Sequence, residues 1–245
     1  MKTTGDDAII NPRRGKMSPP LGSVAVMASA EADLGILCPL LGFDELKFKK
    51  LFNSRLYAND TASGGVSLTG PLIGAPYAVM LLETLIAWGA TKIIFLGWCG
   101  AISPLVKLGD IILVTAAMID EGTSGHYAPD QAESRPSERL VAQIRQLIRN
   151  KELNCREGAI WSTDAVYRET RQKVELYQSK DVLAVEMETS ALFTVAGFRK
   201  IEVAAVLVVS DELSTFKWRP GFKDDKFKKG RIAACGLLKR LCQTL

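Results

Sequence analysis

The chain has 245 residues, 47% of them apolar and 24% charged, and a formal net charge of +4. That length suits one α/β domain with a sizeable core, and the composition leaves little room for long disorder. The mild positive balance is scattered rather than striped, which argues against a nucleic-acid partner, and no apolar run is long enough to span a membrane.

The first residues, MKTTGDDAIINPRRGKMSPPLG, contain Pro12, Pro19 and Pro20 and lack the apolar core of a signal peptide. Residues 1–22 are therefore expected to form a flexible arm and 23–245 the folded domain. Ser23 to Ala28 reads as a buried strand, followed by a helix from Glu31 to Leu41 with Leu34, Leu37 and Leu41 on one face and Ser29 as its cap. Glu31 and Asp33 stand at that helix start, where acids are also ordinary capping residues. Residues 48–65, FKKLFNSRLYANDTASGG, are polar, basic and turn-rich, and read as solvated surface.

A short strand then leads into Thr69-Gly70-Pro71, and Gly74-Ala75-Pro76 opens an apolar helix with proline in its first turn. Amides at such a glycine-rich helix start suit an anion or a sugar oxygen. Thr91 to Gly97 is another buried strand, continued by Trp98-Cys99-Gly100-Ala101, and Ile111 to Thr115 a further one. His126, the one histidine, falls in the loop IDEGTSGHYAP (119–129). Glu138 to Lys151 has helical spacing, and Gly158 to Trp161 reads as a strand leading into Ser162-Thr163-Asp164-Ala165-Val166-Tyr167-Arg168.

In AVEMETSALFTVAGFRKIEVAAVLVVSDE (184–212), Glu186 and Glu188 enter a helix whose pattern stops at Gly197, and Ile201 to Val209 forms a strand buried on both faces. Ser210, Asp211 and Glu212 close that strand at its carboxyl end, where open α/β sheets bind ligands. Carboxylates gathered from two elements suit a polyol and a leaving group that needs a proton. The segment LSTFKWRPGFKDDKFKKGR (213–231) is a basic, aromatic loop before a terminal helix from Phe227 to Leu245. Five cysteines (Cys38, Cys99, Cys155, Cys235, Cys242) form no CxxC pair, so reduced thiols in a cytoplasm are expected, and no metal site.

VEMETSAL followed by VVSDE, together with TGPLIGAP, GWCGA, GDIILV and STDAVY, resembles the nucleoside phosphorylase and nucleosidase superfamily, with the DEGTSGHYAP loop similar to the uridine phosphorylase branch. The resemblance implies a single α/β domain with a central, mixed, partly barrel-like sheet flanked by helices. It places ribose binding on Met187 and Glu188 with Glu186 beside them, the acid acting on the base at Asp211, and base contacts on Val166, Tyr167 and Arg168 (or Arg171). Val166 stands where relatives carry Phe.

The arginine and Ser/Thr positions that grip phosphate in phosphorylases fall here on Asp33, Phe95 and Trp98. An indole N–H donates one hydrogen bond and does not replace an arginine fork. Gly70, Gly74, Trp98 and Lys50 (or Arg55, reaching a neighbouring subunit) remain as weak anion-binding candidates. Asp33, or Glu31, sits where nucleosidases carry the carboxylate that activates water. The implied reaction is phosphorolysis of a ribonucleoside to free base and ribose 1-phosphate. Hydrolysis by an Asp33-activated water is the alternative, and a non-catalytic nucleoside-binding role the second alternative. No cofactor is implied beyond inorganic phosphate as co-substrate, and the expected partners are a nucleoside and further copies of the chain, from dimer to hexamer.

Overall fold

The computed structural model describes residues 8–16, 18–59, 65–149 and 154–245. Eleven strands and six α-helices follow in the order β1 (Val24–Ala28), α1 (Glu31–Leu40), β2 (Lys49–Leu51), β3 (Ser54–Ala58), β4 (Val66–Gly70), α2 (Ala75–Ala87), β5 (Lys92–Ala101), β6 (Ile111–Asp120), β7 (Glu133–Ser134), α3 (Glu138–Arg149), β8 (Cys155–Thr163), α4 (Arg171–Gln178), β9 (Ala184–Glu186), α5 (Thr189–Arg199), β10 (Glu202–Glu212), β11 (Arg219–Pro220) and α6 (Asp225–Cys242). Single 3-10 turns lie at Ser124–His126 and Val166–Arg168.

One mixed sheet runs β11-β10-β6-β8-β9-β5-β1-β4-β3-β2, and β10 pairs with β5 as well. That extra pairing closes β10, β6, β8, β9 and β5 into a ring, while β1, β4, β3 and β2 extend from β5 as an open sheet. The long strand β5 makes both possible. Lys92 to Leu96 pair with β1, whereas Gly100 and Ala101 pair with β9. On its other side β5 pairs with β10 from Lys92 to Ala101. Between β1 and β9 one edge of β5 is left open, a switch point of the kind at which α/β sheets bind ligands.

The residues of β10 alternate between two cores. Val203, Ala205, Leu207 and Val209 pack in the core shared with α2 and α5, and Ala204, Val206 and Val208 in that of α1, α3 and α6. Small and β-branched residues fit this double burial because helices cover both faces. A third, smaller cluster stacks Trp161 of β8 on Tyr177 of α4, with ring centroids 4.5 Å apart.

Several expectations are corrected. Residues 48–59 are no surface coil: β2 and β3 form a hairpin that joins the sheet edge through β4. Ala30, not Ser29, caps α1, and no side chain bonds there; the backbone of Ser29 instead bonds Leu96 and Leu72. Glu186 belongs to the strand β9 and Glu188 is the N-cap of α5, so the chain turns between them. Gly197 does not stop α5, which runs to Arg199 and ends on Lys200 at φ 57°. The terminal helix begins at Asp225 because the Asp224 side chain accepts the Lys226 amide. Residues 8–16 and 18–22 form no helix or strand; residues 1–7 and 17 of the expected arm, and Asn150 and Lys151 of the expected helix, lie outside the described residues.

Candidate active site

The carboxyl ends of β1, β4, β5, β9 and β10 meet around the open edge of β5. Gly70 ends β4 so close to β1 that a Cβ there would lie 2.2 Å from the Ala28 carbonyl oxygen. Leu72 donates its amide to the Ser29 carbonyl at 3.1 Å, which sets the next turn over the end of β1. From that turn the Gly74 amide donates to Glu188 Oε1 at 2.5 Å. Gly74 sits at φ 80°, a conformation glycine adopts without penalty.

Glu186 and Glu188 divide the work at the start of α5. Glu186 Oε2 accepts the amides of Glu188 and Thr189 and the Thr189 hydroxyl, each at 2.8 Å, and its other oxygen bonds the Ser162 hydroxyl. It therefore closes the helix N-terminus from inside. Glu121, which sequence reasoning passed over, helps in the same place by accepting from Ser190 Oγ at 3.0 Å. The Glu188 carboxylate accepts the Gly74 amide. Burial, with the charge of Glu186, pushes its carboxyl up to about 8, and burial raises Glu186 as well. A buried carboxyl with spare acceptor capacity is suited to paired hydroxyls. Met187 between the two is half-buried.

Asp211 lies across β5 from this pair. A bulge between Val209 and Asp211 lets Val209 face Cys99 and Asp211 face Gly100, while Gly100 pairs on its other side with Val185. An inserted residue of this kind re-aims the side chains beyond it. Asp211 Oδ1 bonds the Ser210 hydroxyl at 2.6 Å, and Oδ2 accepts the Trp218 indole N–H at 2.9 Å. Glu169 was missed by sequence reasoning, because nothing in its local pattern marks it. Burial and the nearby charge of Asp211 raise its carboxyl to about 7.

Asp33 occupies the first turn of α1 and is fully buried. Its Oδ2 accepts the Trp98 indole N–H and its Oδ1 the Nε–H of Arg231, both at 2.6 Å. Burial raises its pKa, and Arg231 and Trp98 oppose that rise. Arg231 comes from α6, 198 positions away in the chain, and no local sequence signal could have joined the two. Aromatic rings link this corner to Asp211: Trp98 lies 6.2 Å from Phe222, which lies 6.4 Å from Trp218.

The other expected positions are spread more widely. The Gly74 amide and the Trp98 indole, considered for an anion, are each spent on a carboxylate. Gly70 is buried against β1, and Phe95 is sealed in the core. Lys50 is exposed on the edge strand β2, and Arg55 pairs with Glu31 at 2.6 Å. Val166, Tyr167 and Arg168 form the exposed 3-10 turn after β8, with the Tyr167 ring in solvent. Arg171 lies over the Phe216 ring, 4.5 Å from its centroid. His126 is exposed beside a cavity of about 1480 Å³ between α2 and α5. Among the described residues no group of three or more His, Cys, Asp or Glu side chains is placed to hold a metal ion, and no helix is long and apolar enough to cross a membrane.

A mixed sheet closed through a forked β5, with buried carboxylates on a helix start and on the neighbouring strand end, defines the nucleoside phosphorylase fold. The chain belongs to the phosphorylase superfamily, whose family model matches residues 24–243. It is similar to a DeoD-type purine nucleoside phosphorylase of Brevibacillus brevis (31% identical over 61% of this chain and 65% of that one). It also resembles a guanosine phosphorylase of Halorubrum lacusprofundi, at 27% identity over 63% of this chain and 64% of the other. The chain thus spans just under two thirds of the length of these relatives. Among solved structures, uridine phosphorylase from Vibrio fischeri superposes with a TM-score of 0.82 at 22% identity, covering 96% of this chain and 98% of that one. The 5'-methylthioadenosine/S-adenosylhomocysteine nucleosidase of Helicobacter pylori does so at 0.74 and 17% identity, covering 92% and 99%. These two likenesses concern the fold.

Proposed function

We propose that the chain cleaves the N-glycosidic bond of a ribonucleoside by phosphorolysis, releasing the free base and ribose 1-phosphate, with purine nucleosides as its favoured class. The observation that carries this reading is the buried Glu188 carboxylate, held by the Gly74 amide and set across the end of β5 from Asp211. As the bond to the base breaks, its electrons leave with the base and positive charge grows on the sugar ring. A phosphate oxygen then bonds to the anomeric carbon, and the base takes up a proton. Ionised Glu188 accepts from the sugar hydroxyls and stabilises the ring charge. Met187 packs beneath the ring.

Asp211 protonates, or hydrogen-bonds to, the departing base nitrogen. Its neighbour Ser210 has one hydroxyl proton and two acceptors in reach, Asp211 Oδ1 and the Cys99 carbonyl at 3.2 Å. When that proton goes to Cys99, the hydroxyl oxygen is free to accept from protonated Asp211. The base choice draws support from this strand-end acid and from the purine-directed names of the two relatives.

Hydrolysis is the second reading. It is favoured by Asp33 at the β1–α1 turn and by Phe95 and Trp98, which bring no cation to β5. A cleavage assay on purine and pyrimidine nucleosides, with and without phosphate, decides between them. Ribose 1-phosphate that saturates with phosphate is the expected product, and free ribose at a phosphate-independent rate refutes phosphorolysis.

We propose also that the chain works in the cytoplasm as a homo-oligomer, with a second copy covering the exposed Phe52, Met80 and Phe198 around the cavity between α2 and α5. Light scattering tests this, and a monomeric mass at micromolar concentration overturns it.

A further inference from the structure

Arg231 spends one of its five N–H donors on Asp33. Nη1 and Nη2 have no protein acceptor among the described residues, and the side chain keeps 12% exposure. Its Cζ lies 5.2 Å from the Trp98 ring centroid and 5.6 Å from that of Phe227. Trp98 is fixed in turn, by its bond to Asp33 and by an edge-on contact with Phe227 at 4.9 Å. One buried carboxylate thus orients both the guanidinium and the ring against which it rests. A guanidinium held by its Nε edge, with its terminal nitrogens open, is a preorganised fork for an oxyanion. Its contact with Trp98 places it beside β5, two residues before Gly100, which pairs with Asp211 on one side and Val185 on the other.

We propose that Arg231 is the oxyanion-binding residue of this site and that its ligand is inorganic phosphate, the nucleophile of the cleavage. The assignment rests on the phosphorolytic reading above. It supplies from the C-terminal helix the cation that β5 lacks at Phe95 and Trp98. Asp33 acts through Arg231, holding the fork in place, and does not touch the phosphate.

The test compares wild type with Arg231→Lys in a nucleoside cleavage assay across a phosphate titration. Lysine keeps a cation for Asp33, so no buried charge is left unpaired, but its ammonium offers no planar fork. The half-saturating phosphate concentration should rise at least tenfold, while KM for the nucleoside at saturating phosphate moves less than twofold. If Arg231→Lys does not fold, the double variant Asp33→Asn/Arg231→Gln replaces the ion pair with an amide pair and carries the same expectation. Unchanged phosphate dependence in a folded variant overturns the assignment and leaves phosphorolysis standing. A wild type that releases free ribose independently of phosphate overturns both.

Two further arms need no ribose 1-phosphate. Phosphate should change the tryptophan fluorescence of the wild type saturably, through Trp98, where chloride at equal ionic strength does not; identical responses to the two salts overturn the proposal. Efficient cleavage of a nucleoside 5'-monophosphate without added phosphate, weakened tenfold by Arg231→Lys, would show that the fork serves an oxyanion carried by the substrate, and overturns inorganic phosphate as its ligand.

Discussion

Replacing Glu188 with Gln should slow turnover roughly a hundredfold and at the same time make the protein more stable in alkaline solution. Glu188 is 5% exposed, and burial with the charge of Glu186 raises its carboxyl from 4.5 to about 8. The folded state therefore holds this proton more tightly than the unfolded chain does. The resulting stability is fully present below pH 4.5 and is lost as the pH climbs through about 8. At ~1.4 kcal/mol per unit the whole span is on the order of 5 kcal/mol, of which about 1 kcal/mol falls between pH 7 and pH 9. For a chain of this size that last step is a few degrees in Tm. Gln keeps an oxygen for the Gly74 amide but carries no charge, so its melting temperature lacks this component. Glu169 and Asp33, which also have raised carboxyls, are present in both proteins and cancel in the difference, whereas Glu186, whose charge faces Glu188, shares in the change.

The same substitution removes a charge facing the developing cation. At ~5 Å and an effective dielectric near 20 that is on the order of 3 kcal/mol, or roughly a hundredfold in rate. In the wild type, kcat/KM should climb as the pH approaches about 8, because the ionised form of Glu188 is the reactive one. Base release measured beside melts from pH 5 to pH 9 checks both halves. A folded variant that keeps more than a tenth of wild-type turnover removes Glu188 from the ribose contact. A Tm difference that stays flat with pH refutes the burial argument.

Asp211→Asn should slow purine nucleosides far more than uridine, because a purine leaves most readily when an acid meets its ring nitrogen; equal losses measured on the two substrate classes would remove Asp211 from that role. Gly70→Ala should destabilise the fold by roughly 3 kcal/mol or more, since its Cβ would lie 2.2 Å from the Ala28 carbonyl oxygen, a backbone atom that cannot swing aside. A melt within 2 °C of wild type, at ~2–4 °C per kcal/mol, would show that β1 and β4 separate at little cost.

The strands buried on both faces were legible because their apolar runs admit one reading. Val24–Ala28, Lys92–Ala101 and Glu202–Glu212 were all recognisable, with ends displaced by a few residues. Edge strands carry weaker signals. β2 and β3 mix exposed Lys49 and Lys50 with buried Leu51, Leu56 and Tyr57, so their polar composition hid a hairpin. β9 has three residues and merges in sequence with the helix after it, which is why Glu186 and Glu188 looked alike. The turn between them sends one carboxylate into the helix start and leaves the other towards the Gly74 loop. A motif names both residues, but hydrogen bonds from distant elements decide which one has capacity for a ligand. The pairing of Asp33 with Arg231 was out of reach of any local pattern.

That distant pair bears directly on the choice of nucleophile. A lone ionised Asp33 beside phosphate would oppose binding by on the order of 4 kcal/mol, taking ~4 Å and an effective dielectric near 20. With the Arg231 Nε at 2.6 Å from Oδ1, the carboxylate is neutralised at contact distance, and an approaching anion meets the positive end of a dipole. For water the same contact works the other way. A general base needs a free lone pair and a high affinity for protons, and each N–H donated to Asp33 lowers the affinity that burial raises. Arg231 and Trp98 supply one such donor to each oxygen. One ion pair between the first helix and the last thus makes Asp33 a weaker activator of water and relieves its repulsion of phosphate, and both effects shift the balance towards phosphorolysis.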